Sequence, residues 1–96
     1  MKYRALESFR NNFRRLPAGH QQAFLQILRE FFLPAIEAGS FTGTPKRLRI
    51  HRITNTKIYS LTCPDGRATF HLDKLDEGET LLVWRRVGDH AIYKNP

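Results

Sequence analysis

The residues that could do chemistry are concentrated in a basic segment in the middle of the chain. No acidic residue occurs between Glu37 and Asp65. That stretch carries five basic side chains: Lys46, Arg47, Arg49, Arg52 and Lys57. Cations placed this close together form a positive field that binds phosphates, although a charge excess can also serve solubility alone. The clustering favours a phosphate-bearing ligand.

The whole chain also carries more basic than acidic residues. Sixteen Lys and Arg stand against nine Asp and Glu, giving a formal charge of +7 and a pI near 10.2. This balance favours polyanionic partners such as nucleic acid or an anionic membrane surface. No apolar run approaches the roughly 20 residues that cross a bilayer, and the N-terminus lacks the apolar core of a signal peptide. We therefore expect a cytoplasmic protein with no membrane association.

Histidine is the side chain best suited to proton transfer near neutral pH, because its ordinary pKa is about 6.5. A zinc site built from His51, His71 and His90 would lack the short ligand spacing typical of zinc motifs, so we predict no metal and no cofactor. We interpret His20 and His71 as structural and leave His51 open. The single cysteine, Cys63, excludes an internal disulfide and is interpreted as a packing residue.

The elements that must position these residues follow from hydrophobic periodicity, which is helical before Gly39 and strand-like after it. Residues 2–6 predict a short strand, and Ser8 is the expected cap of a helix over residues 9–16. A second helix is predicted from about Pro17, interrupted at Pro34 and stopped at Gly39. Its apolar stripe consists of Phe24, Ile27, Leu28, Phe31, Ala35 and Ile36.

The second half predicts four strand segments. Residues 47–51 alternate, with Leu48 and Ile50 inward and Arg47, Arg49 and His51 outward, which indicates a half-buried strand with a basic face. Residues 58–62 form the next strand, and a turn at residues 64–66 leads into a third. That third strand places Ala68, Phe70 and Leu72 on one face and Arg67, Thr69 and His71 on the other, so Arg67 joins the basic face if the registers agree. After a turn at residues 76–79, the apolar run 81–84 predicts a strand buried on both faces in the sheet centre.

These elements predict an α+β fold in which two N-terminal helices pack on one face of a mostly antiparallel four- to five-stranded sheet. A chain of 96 residues with 41% apolar content supports one core, so we expect a single domain over residues 1–96. The other sheet face is left partly open for the basic side chains.

Two ordered segments, Pro64-Asp-Gly-Arg-Ala-Thr-Phe70 and Val83-Trp-Arg-Arg-Val-Gly-Asp-His-Ala-Ile-Tyr93, resemble the last two strands and tail of RelE/ParE-superfamily toxins. They are especially similar to small ParE-like cytotoxic translational repressors. The resemblance covers the chain from about Leu48 onward, and in the helical half it rests on element order and length.

The resemblance implies a toxin of a type II toxin–antitoxin system that cuts messenger RNA in the ribosomal decoding site without a metal. It also implies an antitoxin that covers the cleft, with a heterotetramer as a possible assembly. Arg67 matches the phosphate-binding arginine, His90 the basic residue after the last strand's glycine, and Tyr93 the C-terminal tyrosine, although the spacing from Gly88 to Tyr93 is shorter than in RelE.

These three residues suit cleavage of RNA by its own 2′-hydroxyl, which requires proton transfers and stabilisation of phosphoryl charge. We predict Arg67, His90 and Tyr93 as catalytic. A further set is expected to contact nucleic acid: Arg47, Arg49, His51, Arg86 and Lys94. Two alternatives remain open, namely a ParE-like inhibitor of DNA gyrase and a non-catalytic RNA- or ribosome-binding module.

Overall fold

The computed structural model describes residues 2–39, 46–63 and 66–96. The N-terminal half comprises strand β1 (Lys2–Ala5), helix α1 (Glu7–Arg15), helix α2 (Ala18–Ile27), a π-helical turn (Leu28–Phe32) and helix α3 (Leu33–Ala38). A 3₁₀ turn (Lys46–Leu48) then leads to β2 (His51–Arg52), β3 (Ile58–Cys63), β4 (Gly66–Lys74) and β5 (Thr80–Gly88). A 3₁₀ helix (His90–Lys94), here called the tail helix, follows β5. In the part of the chain described, no helix has the length and apolar character needed to span a bilayer.

The five strands form one sheet in the order β1-β5-β4-β3-β2. β1 is parallel to β5, and the other neighbours are antiparallel. The predicted α+β class is therefore confirmed. The expected position of the last strand is wrong by one place, since β4 is central and β5 lies between β4 and β1. β5 is nevertheless buried through Leu82, Val83 and Trp84, as its apolar run predicted.

An aromatic cluster attaches the helices to one face of the sheet. Phe70 of β4 and Trp84 of β5 are neighbours in register, and their ring centroids lie 5.5 Å apart. Phe32 packs on both, with its ring centroid 5.1 Å from Phe70 and 4.9 Å from Trp84. Phe9 and Phe24 also pack on Trp84, at 5.6 and 5.3 Å. Offset and edge-on aromatic contacts at such distances add to the stabilisation from burial.

The first helix begins earlier than predicted, and Ser8 is not its cap. The N-cap position is Leu6, and the Ser8 hydroxyl instead donates a hydrogen bond of 2.8 Å to the carbonyl of Arg85. Ser8 therefore joins α1 to β5. Pro17 separates α1 from α2 as expected, and its carbonyl accepts from the amides of His20 and Gln21.

The predicted interruption of the second helix takes the form of a change in hydrogen bonding. α2 gives way to the π-helical turn before the chain returns to α-helix at Leu33. Pro34 has no N–H to donate to the preceding turn. The π-helical turn before it is a single turn inserted between two α-helical segments, which is the usual form of this rare helix. Gly39 has φ +73°, the left-handed conformation expected at a helix end. The side chain of Ile36 lies outside what the structure describes.

The predicted strand over residues 47–51 is wrong in conformation. Residues 46–48 form a 3₁₀ turn, and Arg49 has φ +48°, which no strand residue adopts. Only His51 and Arg52 pair with β3. The inward and outward pattern is still right, because Leu48 is buried while Arg47, Arg49 and His51 are exposed.

The β3 and β4 predictions are confirmed, with one exception. Ala68 and Phe70 are fully buried, but Leu72 is 37% exposed. It belongs to the end of β4, where residues 72–74 are all exposed to solvent. Most of the turn predicted at residues 64–66 lies outside the described residues. Cys63 is buried as expected, and desolvation raises the pKa of its thiol above the ordinary value.

Truncation of the central aromatic tests this packing. We expect Phe70→Ala to lower the free energy of unfolding by about 3–5 kcal/mol, because the cavity would open against Phe32 and Trp84. The control Phe70→Leu should cost under about 1.5 kcal/mol, since most of the volume is kept. Urea unfolding followed by fluorescence of the single tryptophan measures both values. Equal losses in the two variants would contradict this account.

Candidate functional site

Two buried hydroxyls mark the sheet face opposite the helices. Ser60 of β3 and Thr69 of β4 are neighbours in register, and both are fully buried. Because successive strand residues point to opposite faces, Thr69 faces away from the core that holds Ala68 and Phe70. The Ser60 hydroxyl is hydrogen-bonded to the Tyr93 hydroxyl at 2.6 Å, and Thr69 donates to the carbonyl oxygen of Pro96 at 3.1 Å. The chain after β5 therefore folds back over this face.

A bulge in β5 gives the same face two consecutive arginines. Thr69 pairs with Arg86 and Phe70 pairs with Trp84, so Arg85 is the extra residue between them. A bulge redirects side chains that would otherwise alternate between faces. Arg85 Nε donates to the carbonyl of Pro96 at 3.1 Å, and Arg86 Nε donates to the carbonyl of Asn95 at 3.2 Å. Both arginines therefore bind the tail, by which we mean the tail helix together with Asn95 and Pro96.

Arg85 also anchors a chain of side-chain hydrogen bonds. Its Nη1 lies 2.9 Å from Nδ1 of His71, and Nε2 of His71 lies 3.2 Å from the Asp73 carboxylate. A guanidinium can only donate, so Nδ1 must accept and the ring proton sits on Nε2, facing Asp73. These bonds give His71 a structural role, as predicted. The role of Arg85 was not predicted, and a basic pair directly after an apolar strand is only a weak sequence signal for it.

The tail helix brings two of the predicted catalytic residues together. The rings of His90 and Tyr93 meet edge to face, with centroids 5.5 Å apart. Asp89 caps this helix by accepting from the amide of Ala91 at 2.8 Å. His90 is exposed and Tyr93 is half-buried, so the imidazole is accessible while the phenol is fixed on Ser60.

Arg67 is close to this pair along the backbone, but its guanidinium binds a neighbouring backbone carbonyl. Its Cα is paired with Gly88, two residues before His90. Its Nη1 donates to the carbonyl of Gly66 at 2.8 Å, and within the described ranges no hydrogen bond joins it to His90 or Tyr93. Arg67 is also one of the residues that line a depression of about 410 Å³, here called the lateral cleft. Residues of α2 and the π-helical turn line one part of the cleft. Residues of the 3₁₀ turn and of the adjoining ends of β3 and β4 line the rest.

The residues expected to contact nucleic acid are dispersed. Arg47 lines the lateral cleft, with its guanidinium carbon 5.2 Å from the ring centroid of Phe31. Arg49 and His51 are exposed beside β3, where Nδ1 of His51 is 2.7 Å from the Arg49 carbonyl. Lys94 is exposed on the tail helix. Across residues 2–39, 46–63 and 66–96, no group of three His, Cys, Asp or Glu side chains is placed to hold a metal ion.

Comparison with known proteins relates the fold to solved structures. The RelB–RelE antitoxin–toxin complex of Methanococcus jannaschii contains a similar chain, with a TM-score of 0.63 and 15% identity over 100% of both chains. The RelBE2 complex of Mycobacterium tuberculosis gives a TM-score of 0.60 and 20% identity over 93% of this chain and 96% of that one. The intact RelBE complex of Escherichia coli gives 0.53 and 19%, over 92% and 94%.

The chain has a RelE-like fold. No family model matches its sequence, and no curated protein matches it either. The likeness therefore lies in the path of the backbone, as expected when sequence identity is so low.

The hydrogen bond from Arg85 to the Pro96 carbonyl can be tested directly. Arg85→Met should leave the Pro96 carbonyl with the Thr69 hydroxyl as its donor and accelerate hydrogen exchange at the Asn95 amide, which donates to Ile92. We expect an acceleration of at least about tenfold, since hydrogen bonds to charged groups contribute about 1.5–3 kcal/mol. The matched control Arg10→Met removes an exposed arginine of α1 and should leave this exchange rate unchanged. Equal exchange in the two variants would show that Arg85 does not hold the tail.

Proposed function

We propose that this chain is the toxin of a type II toxin–antitoxin pair, acting in the cytoplasm as a single-domain, metal-independent endoribonuclease on messenger RNA at the ribosome. The observation that supports this best is a RelE-like fold in which an accessible His90 packs on Tyr93 at the end of β5. The formal charge of +7 is suited to an RNA substrate.

In the proposed reaction, His90 acts as the general base and takes the proton of a ribose 2′-hydroxyl. The 2′-oxygen bonds to the adjacent phosphorus, and the bond from phosphorus to the 5′-oxygen breaks. Water protonates that leaving oxygen, so the products are a 2′,3′-cyclic phosphate and a 5′-hydroxyl end. Arg67 stabilises the charge on the phosphoryl oxygens once its guanidinium turns from the Gly66 carbonyl toward the substrate.

Tyr93 positions the imidazole in this scheme. Its hydroxyl is hydrogen-bonded to Ser60, which fixes its ring beside His90, where the ring is available to a substrate base. Arg86 and Lys94, on the same side as the tail, would contact neighbouring phosphates. Arg49 and His51 would extend the contact along β2.

Cleavage of messenger RNA by purified protein with programmed ribosomes tests the reaction. His90→Ala should lower the cleavage rate by about 10²–10⁴-fold, the usual contribution of a general base. Arg67→Ala should lower it by about 10²–10³-fold through loss of charge stabilisation. Arg29→Ala, which removes an exposed arginine of the π-helical turn, is the control and should retain activity. Added imidazole should partly restore a His90→Gly variant.

A non-catalytic RNA- or ribosome-binding module is the second candidate, and it is favoured because, among the described residues, no hydrogen bond joins Arg67 to His90 or Tyr93. Intact RNA bound with an affinity that falls steeply with salt would establish that candidate in place of the nuclease. Intact RNA together with trapped gyrase–DNA complexes would instead indicate a gyrase inhibitor.

The proposed antitoxin is an acidic protein, since it must cover a basic surface. Expression of this chain alone should arrest growth, and co-expression of the neighbouring acidic protein should restore it. The two proteins should co-elute as a complex, for which we propose a heterotetramer. Normal growth despite full expression of the chain alone, verified by blotting, would contradict the toxin proposal.

A further inference from the structure

Thr69 and Arg85 direct two hydrogen-bond donors at one oxygen atom. The Thr69 hydroxyl and Arg85 Nε both donate to the carbonyl oxygen of Pro96, each at 3.1 Å. Arg86 Nε donates to the preceding carbonyl, that of Asn95, at 3.2 Å. Donors from β4 and β5 therefore meet two successive carbonyl oxygens, an arrangement that also suits the oxygens of an anion. These three donor residues are here called the donor site.

The sheet holds the donor site in place. Thr69 is fully buried, and the bulge in β5 gives Arg85 and Arg86 to the same face. Nη1 of Arg85 lies 2.9 Å from His71, and the far nitrogen of that ring lies 3.2 Å from the Asp73 carboxylate. Because these contacts fix the guanidinium of Arg85, a ligand at the donor site would meet donors that are already oriented.

The carbonyl oxygens at the donor site do not neutralise its charge. Among the described residues neither Arg85 nor Arg86 forms a salt bridge, and Nε is the only Arg86 nitrogen with a hydrogen-bond partner. Alternation along β4 places Arg67 on the face of Thr69, which adds a further cation to that face. A peptide carbonyl carries only a partial charge, whereas a phosphate is an anion that accepts two parallel hydrogen bonds from one guanidinium. A phosphate can therefore compete with the carbonyl oxygens.

The surroundings of the donor site suit a nucleotide better than an acidic side chain. Ser60 is the neighbour of Thr69 in register, and its hydroxyl is hydrogen-bonded to the Tyr93 hydroxyl at 2.6 Å. Neighbouring strands lie about 4.8 Å apart, so a phosphate at Thr69 is within reach of a base stacked on the Tyr93 ring. A carboxylate side chain at Thr69 would leave that ring unused.

We propose that the donor site binds a phosphate group of single-stranded RNA, and that Asn95 and Pro96 occupy it as an internal competitor until RNA displaces them. The inference deepens the proposed function and rests on it for the identity of the ligand as RNA. The tail helix stays in place during this exchange, because Tyr93 is bonded to Ser60 and not to the donor site. The competition weakens RNA binding, since only molecules with an open donor site can bind.

Binding of an end-labelled hexanucleotide RNA with methylated 2′-hydroxyls, followed by fluorescence anisotropy at one salt concentration, tests this competition without cleavage. Removal of Asn95 and Pro96 should tighten binding about tenfold, because the competing carbonyl oxygens are lost. The matched control Asn95→Ala keeps both carbonyl oxygens and should bind as the native chain does. Unchanged affinity in the shortened chain would overturn the inference.

Two substitutions in the shortened chain test the donors themselves. Thr69→Val and Arg85→Met should each weaken binding about tenfold, because each removes a hydrogen bond to a charged ligand. The control Arg10→Met removes an exposed arginine of α1 and should weaken binding by less than about twofold. Equal losses in Arg85→Met and Arg10→Met would indicate a general attraction between charges and would count against the donor site.

The native chain provides a second measurement that needs no substitution. The saturating hexanucleotide should accelerate hydrogen exchange at the Asn95 amide, which donates to the Ile92 carbonyl, because displacement breaks this bond. Unchanged exchange at saturation would mean that RNA binds elsewhere and that Asn95 and Pro96 are not displaced.

The outcomes separate this inference from the nuclease proposal, because the methylated RNA has no 2′-hydroxyl to attack. Displacement of Asn95 and Pro96 together with intact unmodified messenger RNA would retain the donor site and reject the nuclease. Cleavage of messenger RNA without displacement would do the reverse. Displacement by a hexaglutamate peptide and not by RNA would overturn the inference and indicate a site for an acidic protein.

Discussion

The packing of Phe70 against Trp84 is the contact on which the rest of the molecule depends. The two rings lie side by side on neighbouring strands, and the helices reach the sheet through them: Phe9 and Phe24 on Trp84, and Phe32 on both. This contact fixes which sheet face is buried. Because side chains alternate along a strand, it also determines which side chains lie on the opposite face. On that face Ser60 is hydrogen-bonded to Tyr93, and Thr69 is hydrogen-bonded to Pro96.

The tail helix and the lateral cleft differ in the interactions that hold them in place. The tail helix depends on directional polar contacts, with Tyr93 on Ser60 and two arginines donating to carbonyl oxygens. The lateral cleft is bounded by the apolar stripe of α2 and the π-helical turn, with its cations at the margin. The tail is therefore sensitive to the loss of a single donor, whereas the cleft depends on the integrity of the core. Arg67 takes part in both regions, since it pairs with Gly88 beside the tail helix and is among the residues that line the cleft.

The sequence was most informative where burial is periodic. Alternation in β4 correctly assigned Ala68 and Phe70 to the core, and the helical stripe correctly assigned Phe24 and Ile27. It failed where the backbone departs from regular geometry. The alternation around Leu48 reflects burial correctly, but a left-handed Arg49 produces the same pattern without a strand. Period alone cannot distinguish these two conformations.

The candidate site was predicted in part for a related reason. His90 and Tyr93 are close in sequence, so their contact within one helical turn was accessible to motif reasoning. The role of Arg85 was not, because it depends on a bulge between distant residues and on backbone carbonyls as acceptors, which have no signature in the sequence. The hydrogen bond from Arg67 to the carbonyl of the adjacent Gly66 likewise has no signature in the sequence.

The parallel pairing of β1 with β5 has a consequence for biosynthesis. Lys2 lies opposite Leu81, so the first strand made has no neighbour until the last strand has been synthesised. Helix α1 packs on that same last strand and lacks its support until then. Contacts between residues so far apart in sequence form late and slowly. A nascent chain therefore cannot complete this sheet until β5 has been synthesised.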